Sequence, residues 1–266
     1  MTVGFFDSGV GGISVLEKAA VQLKHNNFLF YADSAHVPYG VKTKEEIIHY
    51  VDHAVSFLHD QGAEIIVLAC NTATSAAAEY LREKYPFPIL GMEPAVKVAS
   101  KTLEANSDNK IIVTATELTL KLNKFEKLVN QLGIDEKIEA VSLQRLVEFA
   151  EKGIFSGEEV SNYLIERLNI ADINKIAALV LGCTHFTFFK TLINDIMYKL
   201  VGNYIPIIDG NEGTVNYLST LVQVNDFSGE KPLNERIRFF ESDIEVPFEK
   251  YAKLLEYAHR ENAGRF

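Results

Sequence analysis

Short apolar runs alternate with amphipathic stretches along most of this chain, and few architectures accept that pattern. The runs fall at 2–6, 27–32, 64–69, 88–91, 110–114, 137–142, 177–182 and 204–209. Several are apolar at nearly every position, as strands buried on both faces are. Between them, stretches such as 13–24, 43–59 and 160–168 carry apolar residues at helical spacing. Thr43 with Glu46, and Ser156 with Glu159, predict capping boxes at two helix starts. Repeated strand–helix units predict an α/β fold, with parallel sheets covered by helices on both faces. The 266 residues allow one large domain or two of about 130.

One internal echo narrows this further. Residues 65–74 read IIVLACNTAT and residues 178–187 read ALVLGCTHFT. Each is an apolar strand, a small residue, a cysteine and then a threonine at the mouth of a helix. They lie about one domain length apart. The repeat predicts two related α/β halves, each presenting a cysteine at the carboxyl end of a strand. Open α/β sheets bind their ligands at that edge. A single buried cysteine is usually a packing residue, but two in matching polar surroundings point to a shared site.

Cys70 and Cys183 are the chain's only cysteines. A chain this long buries a core without disulfide staples, and neither residue belongs to a Cys-x-x-Cys zinc pair. Near a helix N-terminus a thiol is biased toward thiolate, which serves as nucleophile or base. Asn71, Thr72 and Thr74 beside Cys70, and Thr184 and His185 beside Cys183, suit a small polar ligand. Two thiols delivered from two halves suggest proton transfer on opposite faces of one carbon. A reversible redox pair is the competing use.

Composition removes other classes. The net charge is −10, and no basic cluster offers a nucleic-acid surface. The opening residues lack a signal peptide's basic region, and the best apolar run is far shorter than a bilayer span. The expectation is a cytoplasmic protein with reduced thiols and no membrane or nucleic-acid partner. The glycines of FFDSGVGG at 5–12 could form a phosphate loop, but the run is neither a dinucleotide fingerprint nor a Walker loop. Asp7 would repel a phosphate, so an ordinary strand-to-helix turn is the better reading of the glycines, with Asp7 meeting an ammonium group or relaying a proton. HVPYG at 36–40 predicts a rigid turn holding Tyr39 over a ligand.

Taken together, FFDSGVGG at 5–12, PYG at 38–40, ACNTAT at 69–74 and LGCTHF at 181–186 resemble the glutamate racemases of the cofactor-independent aspartate/glutamate racemase superfamily. ATELTL at 115–120 and LVE at 146–148 add weaker support, so the likeness runs from residue 5 to about 210. It implies two similar flavodoxin-like parallel-sheet domains, 1–94 plus 207–266 and an inserted 95–206, with the active site in the cleft between them. It implies a bacterial enzyme that supplies D-glutamate for peptidoglycan, with no cofactor and no metal, and commonly a homodimer. Substrate would be held by Asp7, Ser8, Tyr39, Gly40, Asn71, Thr72, Thr116, Thr119, Thr184 and His185. Cys70 would take the α-proton from the D enantiomer and Cys183 from the L enantiomer. Asp7 would assist Cys70, and His185 with Glu148 would assist Cys183. Ala115, Leu122, Gly210 and the Val141-Ser142 pair depart from common family residues, and none of them touches the two cysteines. A sister racemase for aspartate or another amino acid, or a catalytically silent binding protein, is the alternative on the same fold.

Overall fold

The computed structural model describes residues 1–103, 107–222 and 231–264, apart from the side chains of residues 123 and 124. Eight strands form where the apolar runs predict them. They are β1 (Thr2–Asp7), β2 (Asn27–Ala32), β3 (Ile65–Leu68), β4 (Ile89–Gly91), β5 (Lys110–Ala115), β6 (Ile138–Ser142), β7 (Ile176–Leu181) and β8 (Ile207–Asp209). Two more, β9 (Ile237–Glu241) and β10 (Ile244–Val246), extend the first sheet. The sequence reading did not anticipate them, because IRFFE is short and mixes charge with apolar residues.

The strands make two sheets, one of six in the order β10-β9-β2-β1-β3-β4 and one of four in the order β6-β5-β7-β8. Every pairing is parallel except β10 with β9. The run β2-β1-β3-β4 is repeated by β6-β5-β7-β8, so the echo in sequence is also an echo in topology. In both, the chain moves from the central strand to one neighbour and then crosses to the other. That reversal opens a crevice at the strand ends, between β1 and β3 in one lobe and between β5 and β7 in the other. Cys70 follows β3, and Cys183 follows β7.

Two expectations need correction. The expected boundary at residue 207 divides the second sheet, because β8 pairs with β7 through Leu179 and Ile207. The chain returns to the first lobe only after Asp209, where the helix Asn211–Leu221 packs on the helix Ile13–Gln22. At that crossing a Cβ on Gly210 would lie 3.0 Å from the Glu93 carbonyl, so the two interlobe connections run side by side there. The capping box at Thr43 is present: its Oγ1 accepts the Glu46 N–H, and Glu46 accepts the Thr43 N–H at 2.8 Å. The one expected at Ser156 is not. Gly157, at φ 116°, turns the chain into the helix Glu158–Leu168 without a side-chain cap. Interior packing is aromatic in the first lobe, where Phe5, Phe28, Phe30 and Phe239 meet edge to face.

Candidate active site

The first half of the site grows from β1 and β3. Cys70 ends the extended segment after β3 and sits at the N-terminus of the helix Asn71–Lys84. Its Sγ accepts the Ala73 N–H at 3.4 Å and donates to Ser8 Oγ at 3.6 Å. Burial pushes the thiol up to about 12, and the Asp7 carboxylate adds to the rise, while the Ala73 N–H works against it. Asp7, at the end of β1, accepts the Gly9 N–H and the Thr184 hydroxyl, both at 3.0 Å. Burial raises this carboxyl to about 6, although His185 and the two donors favour its charge. Thr184 comes from the other lobe, so Asp7 ties the two halves together.

The second half grows from β7. Cys183 precedes the turn Thr184–Phe189, and its Sγ lies 3.7 Å from His185 Nδ1. The other ring nitrogen, Nε2, lies 2.6 Å from a carboxylate oxygen of Glu151. Burial opposes a charge on this imidazole, but the hydrogen bonds it donates to Cys183 and Glu151, with their charges, push His185 well above its ordinary range. The result is a line of groups from Glu151 through His185 to Cys183. Burial also couples the sulfurs, since a charge on Cys183 raises Cys70.

Glu151, rather than Glu148, therefore completes this half. Glu148 is exposed on the helix Arg145–Glu151 while Leu146, Val147, Phe149 and Ala150 are buried. One turn later Glu151 reaches both His185 and the Val10 N–H, the latter at 2.8 Å. LVEFAE offers two carboxylates three residues apart on one helix. Which of them meets the cleft depends on how the helix packs against the facing lobe, and the sequence carried no signal for that choice.

The glycines of the opening loop serve this approach. A side chain at Gly9 would collide with the Glu151 carboxylate, and one at Gly11 with Thr184 and His185. The loop is packed closely against the facing lobe.

The hydroxyl residues converge from both lobes. Thr72 from the first meets Thr116 at 3.1 Å and Thr119 at 3.0 Å from the second, and those two are 2.9 Å apart. Asn71 donates to the Met92 carbonyl at 3.5 Å, while its buried Oδ1 has no hydrogen-bond partner among the described residues. That acceptor is suited to a ligand N–H. Tyr39 sits deeper than the sequence reading placed it. Its hydroxyl donates to Asp33 at 2.6 Å, and burial with the Asp33 charge pushes the phenol up, so its hydroxyl proton is already engaged. Gly40, next to it, faces Thr116 across the cleft. Among the described residues no group of three or more His, Cys, Asp or Glu is placed to hold a metal ion, and no helix is long and apolar enough to cross a membrane.

The fold is shared with known racemases, in sequence and in structure. Residues 13–218 match the model of the Asp/Glu/hydantoin racemase family. A glutamate racemase of Halothermothrix orenii is 42 % identical over 258 residues, 96 % of this chain and 99 % of that protein. The crystal structure of glutamate racemase from Campylobacter jejuni superposes with a TM-score of 0.76 at 28 % identity, covering 100 % of both chains. That of the Francisella tularensis enzyme in complex with D-glutamate superposes with a TM-score of 0.75 at 25 % identity, covering 96 % of this chain and 92 % of that one. With most of its length matched to that family and with relatives above 40 % identity, the chain belongs to the Asp/Glu/hydantoin racemase family.

Proposed function

We propose that this protein interconverts L-glutamate and D-glutamate by two-base proton transfer, with one thiol addressing each face of the α-carbon. The observation that carries the reading is that Cys70 and Cys183 stand, both buried, just beyond equivalent strand ends of two repeated sheets, whose half-sites are joined by the Thr184–Asp7 hydrogen bond. In the L-to-D direction the Cys183 thiolate takes the α-proton and the Cys70 thiol returns one to the opposite face. In the reverse direction Cys70 is the base and Cys183 the acid. His185, held by Glu151, stabilises charge on Cys183, and Asp7 exchanges protons with Cys70 or meets the substrate ammonium.

The barrier lies in forming a carbanion next to a carboxylate. Preorganised donors in a site closed to water offset that charge more effectively than water does. Thr72, Thr116, Thr119 and Thr184 supply hydroxyl donors from both lobes. Local donors are needed because a protein of net charge −10 does not attract an anionic substrate.

Incubation of pure L-glutamate in heavy water tests the reading. The D product is expected to carry deuterium at the α-carbon, and optical activity is expected to decay to zero. Persistent optical activity without exchange would overturn it. A parallel panel with aspartate separates glutamate from a shorter substrate.

A further inference from the structure

We propose that Gln144 is a substrate-positioning residue, whose side-chain amide donates to the substrate carboxylate that meets the Thr72, Thr116 and Thr119 hydroxyls. This rests on the racemase reading above and extends it to a residue outside the sequence motifs. Gln144 lies between β6 and the helix Arg145–Glu151, so one short segment carries Gln144 at its start and the His185 partner Glu151 at its end. The Leu143 N–H donates to the Ala115 carbonyl at 3.2 Å, which fixes the segment against the end of β5.

Both polar atoms of the Gln144 side chain, Oε1 and Nε2, are shut off from solvent, and neither has a hydrogen-bond partner among the described residues. A buried amide with no partner is unfavourable, and an apolar side chain of similar size would avoid that penalty. Its surroundings identify what it waits for. A Cβ on Gly40 would lie 2.5 Å from Gln144 Oε1 and 3.0 Å from the Thr116 Cβ, so the amide, the Gly40 backbone and Thr116 meet at one point of the interlobe contact. The three threonine hydroxyls beside it hydrogen-bond to one another and have one proton each. A carboxylate arriving there has more acceptor sites than those hydroxyls can fill. The Gln144 amide brings two further N–H donors without adding a charge that would compete for the ammonium group. Entry of substrate parts Gly40 from Gln144, and the amide then exchanges an empty contact for an ionic acceptor.

Steady-state kinetics with both enantiomers and thermal unfolding with and without D-glutamate test this. Gln144→Leu is expected to raise KM about tenfold in each direction, the size of effect expected for one hydrogen bond to a charged group. Its kcat should change far less, and its Tm without ligand should be equal to or above the parent's. The upward shift in Tm given by D-glutamate should shrink in the same variant. Gln144→Glu keeps the shape but sets a carboxylate against a carboxylate, and should weaken binding more than Gln144→Leu does. Should Gln144→Leu unfold, Gln144→Glu alone decides, through its KM and its ligand-dependent Tm shift. Parental KM and parental Tm shift in the variants that fold would overturn the inference, as would a loss confined to kcat. A parent enzyme without α-proton exchange would instead count against the racemase reading, so the two failures are distinguishable.

Discussion

The two thiol half-sites share a topology and differ in charge. Cys70 stands at a helix start with a carboxylate, Asp7, as its nearest charged influence, and its pKa is driven up to about 12. Cys183 stands before a tight turn with an imidazole 3.7 Å away, whose own affinity for a proton is raised by Glu151. One sulfur faces negative charge and the other a group that readily becomes positive. The repeat thus supplied two equivalent positions with different neighbours, a carboxylate acting on one thiol and an imidazole beside the other.

Removing either sulfur should have the largest effect. Cys70→Ala and Cys183→Ala are each expected to lower racemisation by at least about a thousandfold, within the span assigned to a positioned acid or base. The surviving thiol in each should still exchange the α-proton of one enantiomer in heavy water, D-glutamate for Cys183→Ala and L-glutamate for Cys70→Ala. Near-parental turnover in either variant would break the comparison outright.

Glu151→Gln comes next, with an expected loss of about ten- to a hundredfold, and Glu148→Gln should change little. Because the equilibrium constant between enantiomers is one, kcat/KM must fall equally in both directions. The asymmetry is read instead from isotope effects, which should grow for α-deuterated L-glutamate and stay near parental for the D enantiomer. Equal growth for both would remove the assignment of Glu151 to the Cys183 side. Alkylation by iodoacetamide at neutral pH, followed by mass spectrometry, offers a smaller effect: Cys183, beside an imidazole, should be modified before Cys70, whose thiol is pushed up to about 12. The reverse order would invert the comparison.

The smallest expected change is in stability. Folding raises the Asp7 carboxyl from 3.8 to about 6, so the folded state holds its proton where the unfolded chain has lost it. Stability from this group therefore falls as pH rises from about 4 to 6, and the full penalty remains at neutral pH. Asp7→Asn is expected to stabilise the protein by roughly 1–3 kcal/mol at pH 7 and by little below pH 4, while impairing catalysis. Denaturant titration at both pH values checks this, and a gain independent of pH would sever it from Asp7 ionisation.

Much of this was legible in advance, for a physical reason. Strands buried on both faces must be apolar throughout, so the central strands β1, β3, β5 and β7 stand out in the sequence, and their regular spacing locates the rest. β9 and β10 lie toward one edge of the first sheet, where Arg238 and Glu245 are exposed and pair with each other at 2.8 Å, and such strands carry no continuous apolar run. The Thr43 cap was readable because its partners are three residues apart, whereas the same spacing at Ser156 was overridden by the turn at Gly157.

The same division holds at the site. Asp7, Ser8, Cys70, Asn71, Thr72, Thr116, Thr119, Cys183, Thr184 and His185 lie at strand ends or the first turns after them, a location that local pattern specifies. The sequence by itself determined a doubled α/β fold and one cysteine from each half. Only the tertiary structure decided that Glu151 and not Glu148 supports His185, that Tyr39 is held by Asp33, and that the Gln144 amide is buried beside Gly40 without a partner. Each of those depends on how one lobe meets the other or on which side of an element faces inward. Such contacts join residues far apart in the chain, and local periodicity carries no information about them.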